Sequence, residues 1–266
     1  MEQRIYAIGD VHGYSGQLDR ALNLVEEDGG PDAPIVFLGD LVDRGPDSRG
    51  VIERLIRGIA AGKPWTVIKG NHDRMFERFV TDAAAGDDMV LSGKGWLHHR
   101  LGGNATLASY LDLPGFRHPE GGGIETLARI GLDPVPDDLL EQLARAACDQ
   151  VPADHLAFLA RLPLWHQVGE LLFVHAGIRP GVPLEEQDED DLLWIRNEFL
   201  LDPRDHGPLV VHGHTALDHP VAYPNRINLD GGAGYGRPLR PAVFTGRSCA
   251  LLTEAGHLPL VPARAA

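Results

Sequence analysis

Residues 35–45 read IVFLGDLVDRG, in which an apolar run is followed at once by glycine and by charged side chains. A short apolar run bounded by turn residues predicts a buried strand. Asp40, Asp43 and Arg44 stand where that strand would end. In an α/β sheet, the loops at the carboxyl ends of the strands form the ligand crevice. The stretch therefore predicts an α/β fold with functional side chains at one edge of the sheet.

The same pairing of strand and polar motif recurs four times outside this stretch. The other motifs are GDVHG at 9–13, GNHD at 70–73, HAG at 175–177 and HGHT at 212–215. Apolar runs predict a strand before each of these four motifs, at 4–8, 66–68, 171–174 and 209–211. Three later runs predict further strands at 226–229, 242–245 and 250–252. Helical periodicity separates the early strands, with Ser15 and either Asp47 or Ser48 as expected N-caps. If the strands are parallel neighbours, the five motifs converge on one rim.

The stretch from about residue 75 to residue 164 has a different pattern. It contains helical segments near 105–111, 138–147 and 154–162, joined by loops rich in glycine and proline, and no predicted strand. We expect a helical insertion that caps the sheet, and residues 1–266 are predicted to form a single domain. The acidic run at 185–191 is expected to begin a solvated helix, because carboxylates complement the dipole at a helix N-terminus.

Composition excludes several classes of protein. The 266 residues include 24 basic and 38 acidic side chains, for a net charge of −14, which disfavours non-specific binding of nucleic acid. Hydrophobic residues make up 43% of the chain, enough for a sizeable core, but they form no apolar run of membrane-spanning length. We therefore expect no membrane segment and no signal peptide. The two cysteines are too few for a disulfide framework, and a cytoplasmic location is expected.

The residue types of the five motifs predict a site for two divalent cations. Asp10 and His12 can chelate one ion, and Asp40 can bridge both because a carboxylate serves two cations about 3.5–4 Å apart. An amide oxygen and two imidazoles can hold the second ion. Nitrogen and oxygen ligands suit Mn, which we expect, and are compatible with Fe, Zn, Ni or Co. The predicted metal ligands are Asp10, His12, Asp40, Asn71, His175 and His214.

The expected charge of such a centre indicates its substrate. Two cations, two carboxylates and a bridging hydroxide carry a net charge of about +1, which attracts a phosphate ester. Arg44 and Arg196 can bind phosphate oxygens through their planar guanidinium groups, with Asn71 as a further contact. His72 is the expected general acid, oriented by Asp73.

In their order from Gly9 to Thr215, the motifs resemble those of the calcineurin-like metallophosphoesterases. The closest resemblance is to the bacterial and phage branch of the serine/threonine phosphoprotein phosphatases, whose second phosphate-binding arginine region is similar to residues 192–196. The resemblance implies a central β-sandwich flanked by helices, with a dinuclear metal site at one end. It also implies phosphoester hydrolysis by a metal-bridging hydroxide, with the roles given above for each matching residue.

Several positions refine this expectation. The broader family often ends its last motif in Gly-His-x-His, whereas Ala216 stands here, so a water should replace that ligand. His212 matches no family ligand and is expected to be structural, and Asp43 is expected to brace Arg44. Asp43 and Thr215 favour phosphoserine or phosphothreonine in proteins as the substrate, because the alternative enzymes typically carry Ala and Trp there. That alternative is a bis(5'-nucleosyl)-tetraphosphatase acting on diadenosine tetraphosphate. The sequence leaves the oligomeric state open.

Overall fold

Two β-sheets lie at the centre of the structure, a computed structural model that describes residues 4–112 and 134–262. The strands of the described residues are β1 Ile5–Ile8, β2 Ile35–Phe37, β3 Trp65–Val67, β4 Trp165–Val168, β5 Leu171–Val174, β6 Leu209–His212, β7 Val221–Ala222, β8 Arg226–Asn228, β9 Ala242–Thr245, β10 Ser248–Thr253 and β11 Gly256–Leu260. The first sheet has the order β11-β10-β9-β1-β2-β3, and the second has the order β4-β5-β6-β8-β7. Within each sheet, the strands that precede the sequence motifs are parallel neighbours.

Alternating side chains of these strands build a sandwich. In β1, Ile5 and Ala7 face the second sheet, where they share an apolar cluster with Phe173 of β5. Tyr6 and Ile8 point the other way and pack beneath helices. This period of two is inherent in extended backbone, so a strand buried on both faces needs an unbroken apolar run. The expected α/β fold with a central β-sandwich flanked by helices is confirmed.

Helices cover the outer faces of both sheets. The helices of the described residues are α1 Ser15–Gly29, α2 Ser48–Ala60, α3 Asn71–Asp82, α4 Gly103–Tyr110, α5 Asp137–Gln150, α6 Ala153–Ala160, α7 Glu189–Trp194 and α8 Asn197–Leu200. The Asp47 carboxylate accepts a hydrogen bond from the Gly50 amide (2.9 Å), as expected of an N-cap. The expected cap at Ser15 is wrong, because Ser15 is already helical and the backbone of Tyr14 receives the first turn's bonds.

Helices α4, α5 and α6 belong to the predicted insertion. Their apolar side chains, among them Leu107, Leu143 and Leu159, join the cluster that also holds the buried faces of α1, α2 and α3. Residues 113–133 of the insertion lie outside the described residues. In the two described ranges, no helix combines the length and the apolarity that crossing a bilayer requires.

Candidate active site

Loops that follow β1, β2, β3, β5 and β6 bring the five motifs together at one end of the sandwich. Asp40 lies between histidines of the two sheets: its Oδ2 is 3.6 Å from His12 Nε2, and its Oδ1 is 3.4 Å from His175 Nε2. Two groups of three side chains have ligand atoms within 4.8 Å of one another, and both include Asp40. The groups are His12, Asp40 and His72, and Asp10, Asp40 and His175. A carboxylate shared by two groups is in the position that a bridging ligand needs.

The imidazoles of His12 and His175 are held in the tautomer that a metal requires. Nδ1 of His12 donates to the carbonyl of Val42 (2.9 Å), and Nδ1 of His175 donates to the carbonyl of Leu38 (2.8 Å). Each ring therefore directs the lone pair of Nε2 into the site.

Asn71 supplies the clearest test of whether these residues suit a cation. Its Oδ1 lies 2.8 Å from His175 Nε2 and 2.9 Å from His214 Nδ1. Because the proton of His175 is on Nδ1, its Nε2 and the amide oxygen are both acceptors at hydrogen-bond distance. Within the described residues, Nε2 of His214 is buried and has no hydrogen-bond partner. Converging acceptors of this kind fit a divalent cation bound by nitrogen and oxygen.

The backbone at the site is strained. Among the described residues, six that are not glycine have positive φ, and five of them lie here: His12, Asp40, Asp43, Arg44 and His214, with φ between 48° and 75°. Each such residue costs on the order of 1–3 kcal/mol and persists only where its surroundings impose it. Glycine permits the required close approach at two points, since a Cβ on Gly70 would collide with Asp40 and one on Gly213 with Asp10.

Both predicted phosphate-binding arginines line the pocket above these groups, a cavity of about 570 Å³. Nη1 of Arg44 is 2.5 Å from His12 Nε2, and its Nη2 is 3.1 Å from His72 Nε2. Its guanidinium also lies over the ring of Tyr235, 4.9 Å from the centroid. Arg196 follows α7 and donates to the hydroxyl of Thr215 (3.5 Å). The structure thus brings both arginines to the candidate ligands.

The structure corrects the expected roles of Asp73 and Asp43. His72 Nδ1 donates to Asp43 (2.6 Å), whereas the Asp73 carboxylate accepts from the amides of Leu41 and Gly70 (both 2.9 Å). Asp73 lies in the first turn of α3, where a carboxylate caps backbone amides, so it is not available to the imidazole. Asp43 therefore orients His72 instead of bracing Arg44.

Burial dominates the electrostatics of the site. It raises the pKa of Asp10, which the carboxylates of Asp230 and Asp40 raise further. Burial raises the pKa of Asp43 to about 7 and, together with Asp40, that of Asp73 to about 8. It also lowers the pKa of His72 to about 3, although Asp40 opposes this shift. Acidic groups with raised pKa values and a buried neutral imidazole in one cleft are typical of a functional site.

Burial likewise lowers the pKa of His12, with a further contribution from Arg44. The pKa of His214 is lowered by burial and then by the neighbouring His175. Both rings therefore keep the neutral form, which is the form that binds a metal.

Sequence reasoning missed three residues of this region. Trp96 and Thr106 hydrogen-bond the Asp43 carboxylate from within the predicted insertion (2.8 and 2.6 Å). Asp230 is a further buried carboxylate beside Asp10. No motif marks Trp96 or Thr106, while Asp230 directly follows a predicted strand and could have been found by that position.

The acidic run differs in part from the expected solvated helix start. Asp188 caps α7 through the amide of Asp190, as carboxylates at this end do. However, the Asp190 carboxylate also binds the buried guanidinium of Arg74 (2.7 Å), and Asp191 binds Arg179. The run therefore binds α7 to α3 through Arg74 and to the loop that carries Arg179.

Comparisons with known proteins agree with this geometry. Over 69 residues, the chain is 46% identical to a symmetrical bis(5'-nucleosyl)-tetraphosphatase of Methylococcus capsulatus; the match covers 26% of this chain and 23% of that protein. It is 32% identical over 113 residues to serine/threonine-protein phosphatase 1 of Salmonella typhimurium, covering 41% of this chain and 47% of the relative. The chain thus aligns with less than half of the length of either relative.

Solved structures extend the likeness to the whole fold. A crystal structure described as a candidate diadenosine tetraphosphatase has a TM-score of 0.59 at 23% identity, over 99% of this chain and 96% of that chain. The cold-active protein-tyrosine phosphatase of a Shewanella species has a TM-score of 0.53 at 15% identity, over 98% and 81%. The family profile of calcineurin-like phosphoesterases matches residues 3–238. Because that match spans most of the chain, the protein belongs to the calcineurin-like phosphoesterase family.

Proposed function

We propose that this phosphoesterase hydrolyses phosphomonoesters and that phosphoserine and phosphothreonine in proteins are its substrates. The supporting observation is the distribution of charge in the pocket. Arg44 and Arg196 lie beside the candidate metal ligands, in position to hold one phosphoryl group. Besides these two, the pocket is lined by the arginines Arg100 and Arg179 and by the carboxylates of Asp191 and Glu198, and Asp191 binds the guanidinium of Arg179 (2.6 Å). These four side chains therefore add little net positive charge for a longer polyphosphate.

The residues of the site support separate roles for the cations, the arginines and His72. The six candidate ligands would hold divalent cations, which we expect to be Mn²⁺. These cations would polarise phosphoryl oxygens and lower the pKa of a water molecule that serves as nucleophile. Arg44 and Arg196 bind the remaining phosphoryl oxygens. Asp43 accepts from Nδ1 of His72, which directs Nε2 of that ring into the pocket. The neutral ring has no proton on Nε2, but a bound phosphate dianion opposes the effect of burial on the pKa of His72, so Nε2 takes up a proton from water as the ester binds and donates it to the oxygen of the departing alcohol.

Diadenosine tetraphosphate is the second candidate substrate, and the outer rim of the pocket favours it. Leu91 and Tyr235 line the pocket and are 93% and 60% exposed. Exposed apolar and aromatic side chains can pack against a nucleobase. The identity to bis(5'-nucleosyl)-tetraphosphatases over about a quarter of the chain points the same way.

One substrate panel separates the two candidates. The protein loaded with Mn²⁺ should be assayed on p-nitrophenyl phosphate, a phosphothreonine peptide and diadenosine tetraphosphate. We expect the highest kcat/KM on the peptide, with a larger loss in Arg196→Ala on the peptide than on the dinucleotide. A tenfold preference for diadenosine tetraphosphate corresponds to about 1.4 kcal/mol of transition-state stabilisation and would make the second candidate the function.

A further inference from the structure

The Asp43 carboxylate is enclosed by donors from two parts of the chain. Its Oδ2 accepts from Nδ1 of His72 (2.6 Å) and from the indole nitrogen of Trp96 (2.8 Å). Its Oδ1 accepts from the hydroxyl of Thr106 (2.6 Å). Asp43, Trp96 and Thr106 are all fully buried. Because the carboxylate is buried, the donors around it set the direction in which it faces.

The same segment also holds the backbone that carries Asp43. The Asp43 amide donates to the Thr106 hydroxyl (2.8 Å), and the Arg44 amide donates to the carbonyl of Gly102 (3.2 Å). Asp43 and Arg44 both have positive φ, at 75° and 68°. Strained conformations of this kind persist only where surrounding contacts impose them. Residues 96–106 therefore stabilise the loop as well as its carboxylate.

Trp96 is itself fixed by packing against the helix that begins with Asn71 and His72. Its ring stacks on Phe76 (centroids 5.7 Å apart) and tilts against Phe79 (4.7 Å), both on α3. The indole nitrogen is thus held in one position relative to the His72 ring. A carboxylate that is held by a rigid donor can in turn hold an imidazole in one orientation.

We propose that Trp96 and Thr106 are positioning residues for the His72 imidazole. They act through Asp43, and they make the predicted insertion a working part of the active site. The proposal rests on the proposed function, in which His72 protonates the leaving group. Loosening the Asp43 carboxylate should misdirect Nε2 of His72. Arg44 should stay in place, because its amide remains bonded to the carbonyl of Gly102 (3.2 Å), a backbone contact that no side-chain substitution at Trp96 or Thr106 removes. The effect should therefore appear in kcat and depend on the leaving group.

The test uses substitutions that remove one donor each. Trp96→Phe deletes the indole N–H, Thr106→Val deletes the hydroxyl, and Thr106→Ser restores it. Trp65→Phe and Thr81→Val are matched controls, since Trp65 packs on Phe37 and Thr81 bonds the backbone of Glu77. With Mn²⁺ bound, we expect kcat on a phosphothreonine peptide to fall about tenfold in the first two variants. The loss should be smaller on p-nitrophenyl phosphate, whose leaving group needs little protonation, and KM should stay unchanged.

Two further measurements separate positioning from damage to the fold. Circular dichroism and melting temperature identify a variant that fails to fold. If either Trp96→Phe or Thr106→Val fails to fold, the kinetics of the other variant test the proposal. Equal losses on both substrates, or loss without recovery in Thr106→Ser, would overturn the proposal. Nitrogen NMR of the His72 ring gives a readout that does not need activity: the Nδ1–H signal should be present in the parent protein and shift in Thr106→Val. If the parent protein hydrolyses neither phosphomonoester, the proposed function fails, and an unchanged Nδ1–H signal in both variants refutes the positioning role separately.

Discussion

Asp40 is the residue on which both candidate cation positions depend. Its two oxygens face His12 and His175, and Oδ1 also accepts from the His72 amide (2.9 Å). Asp40→Asn should lower the affinity for both ions. It should reduce activity by more than the roughly 10–100-fold that is typical when a residue that hydrogen-bonds a metal ligand is changed. Metal analysis after dialysis measures the first effect, with Asp19→Asn at an exposed site as control. Two tightly held equivalents together with parental activity would contradict the bridging role.

The role of His72 leads to a different prediction, because the ring is expected to move a proton and not to hold an ion. His72→Asn should lower kcat about 10²–10³-fold on alkyl phosphates while the metal content is retained. The loss should shrink on p-nitrophenyl phosphate. Metal release from the variant, or the same loss on both substrates, would remove His72 from this role.

At the residue scale, the sequence predicted which side chains meet but not which of them pair. Each motif follows a strand, so β-sheet geometry alone brings Asp40 and His175 to one rim. The choice between Asp43 and Asp73 as partner of His72 depends on where α3 begins. Neighbours along a helix point about 100° apart, so Asp73 cannot turn back to the ring beside it, and it caps the helix instead.

Among the elements, α7 is held by an ionic contact that has a functional consequence. Arg74 of α3 binds Asp190 at the start of α7 (2.7 Å) and Asp87 (3.0 Å), and Arg196 lies just beyond the end of α7. Arg74→Met should loosen this helix and leave Asp87 with a weaker partner. We expect KM for phosphomonoesters to rise several-fold, with a smaller change in kcat, and a loss of about 1–3 kcal/mol in stability.

Arg78 provides the matched control for this prediction. It binds the same Asp87 carboxylate (3.2 Å) but is half exposed, and within the described residues it forms no ion pair with α7. Arg78→Met should therefore leave KM near the parental value. Equal KM values in the two variants would show that Arg74 has no influence on the position of Arg196.

The helix pair α4 and α6 should respond to pH through His155. This ring is buried, which lowers its pKa, and its Nδ1 accepts from the hydroxyl of Tyr110 (2.9 Å). Because the folded state binds the proton less readily than the unfolded chain, the stability contributed by the neutral ring is complete above about pH 6.5 and declines as the pH falls below it. The melting temperature should drop less between pH 7.5 and 5.5 in His155→Asn than in the parent. His219→Asn, at an exposed site, should match the parent.

Elements with a strong pattern were predictable, and those without one were not. The continuous apolar runs of β1, β5 and β6 predict strands, and the structure buries these strands on both faces. Strands β4, β7 and β11 were not predicted because they lie at sheet edges and also have weak patterns: β4 is half exposed, β7 has two residues, and β11 contains glycine and proline. Strand β3 is also at an edge, but its apolar run was sufficient to predict it. An edge strand with a weak pattern depends on its neighbour for its structure.

For the whole molecule, the net charge of −14 should select among substrates that share the same phosphoryl group. Carboxylates of Glu186, Asp188 and Asp190 line a neighbouring pocket, which shares Arg179 and Asp191 with the active-site cleft. Such a field attracts basic peptides and repels acidic ones, and the attraction weakens as salt shortens the Debye length. A phosphothreonine peptide flanked by lysines should therefore have a kcat/KM at least about tenfold above that of its glutamate-flanked counterpart at low ionic strength.

Ionic strength and charge reversal make this last prediction specific. At about 1 M salt, where the screening length is about 3 Å, the two peptides should differ little. Glu186→Lys combined with Asp188→Lys should reduce the difference in kcat/KM between the two peptides at low salt. A double change to lysine at Asp137 and Asp138, on helix α5 and outside the lining of both pockets, should reduce this difference less. A preference for the basic peptide that persists at high salt would show that direct contacts, and not the overall field, select the substrate. Preference for the acidic peptide would show that local arginines, such as Arg100 and Arg196 in the pocket, outweigh the charge of the whole molecule.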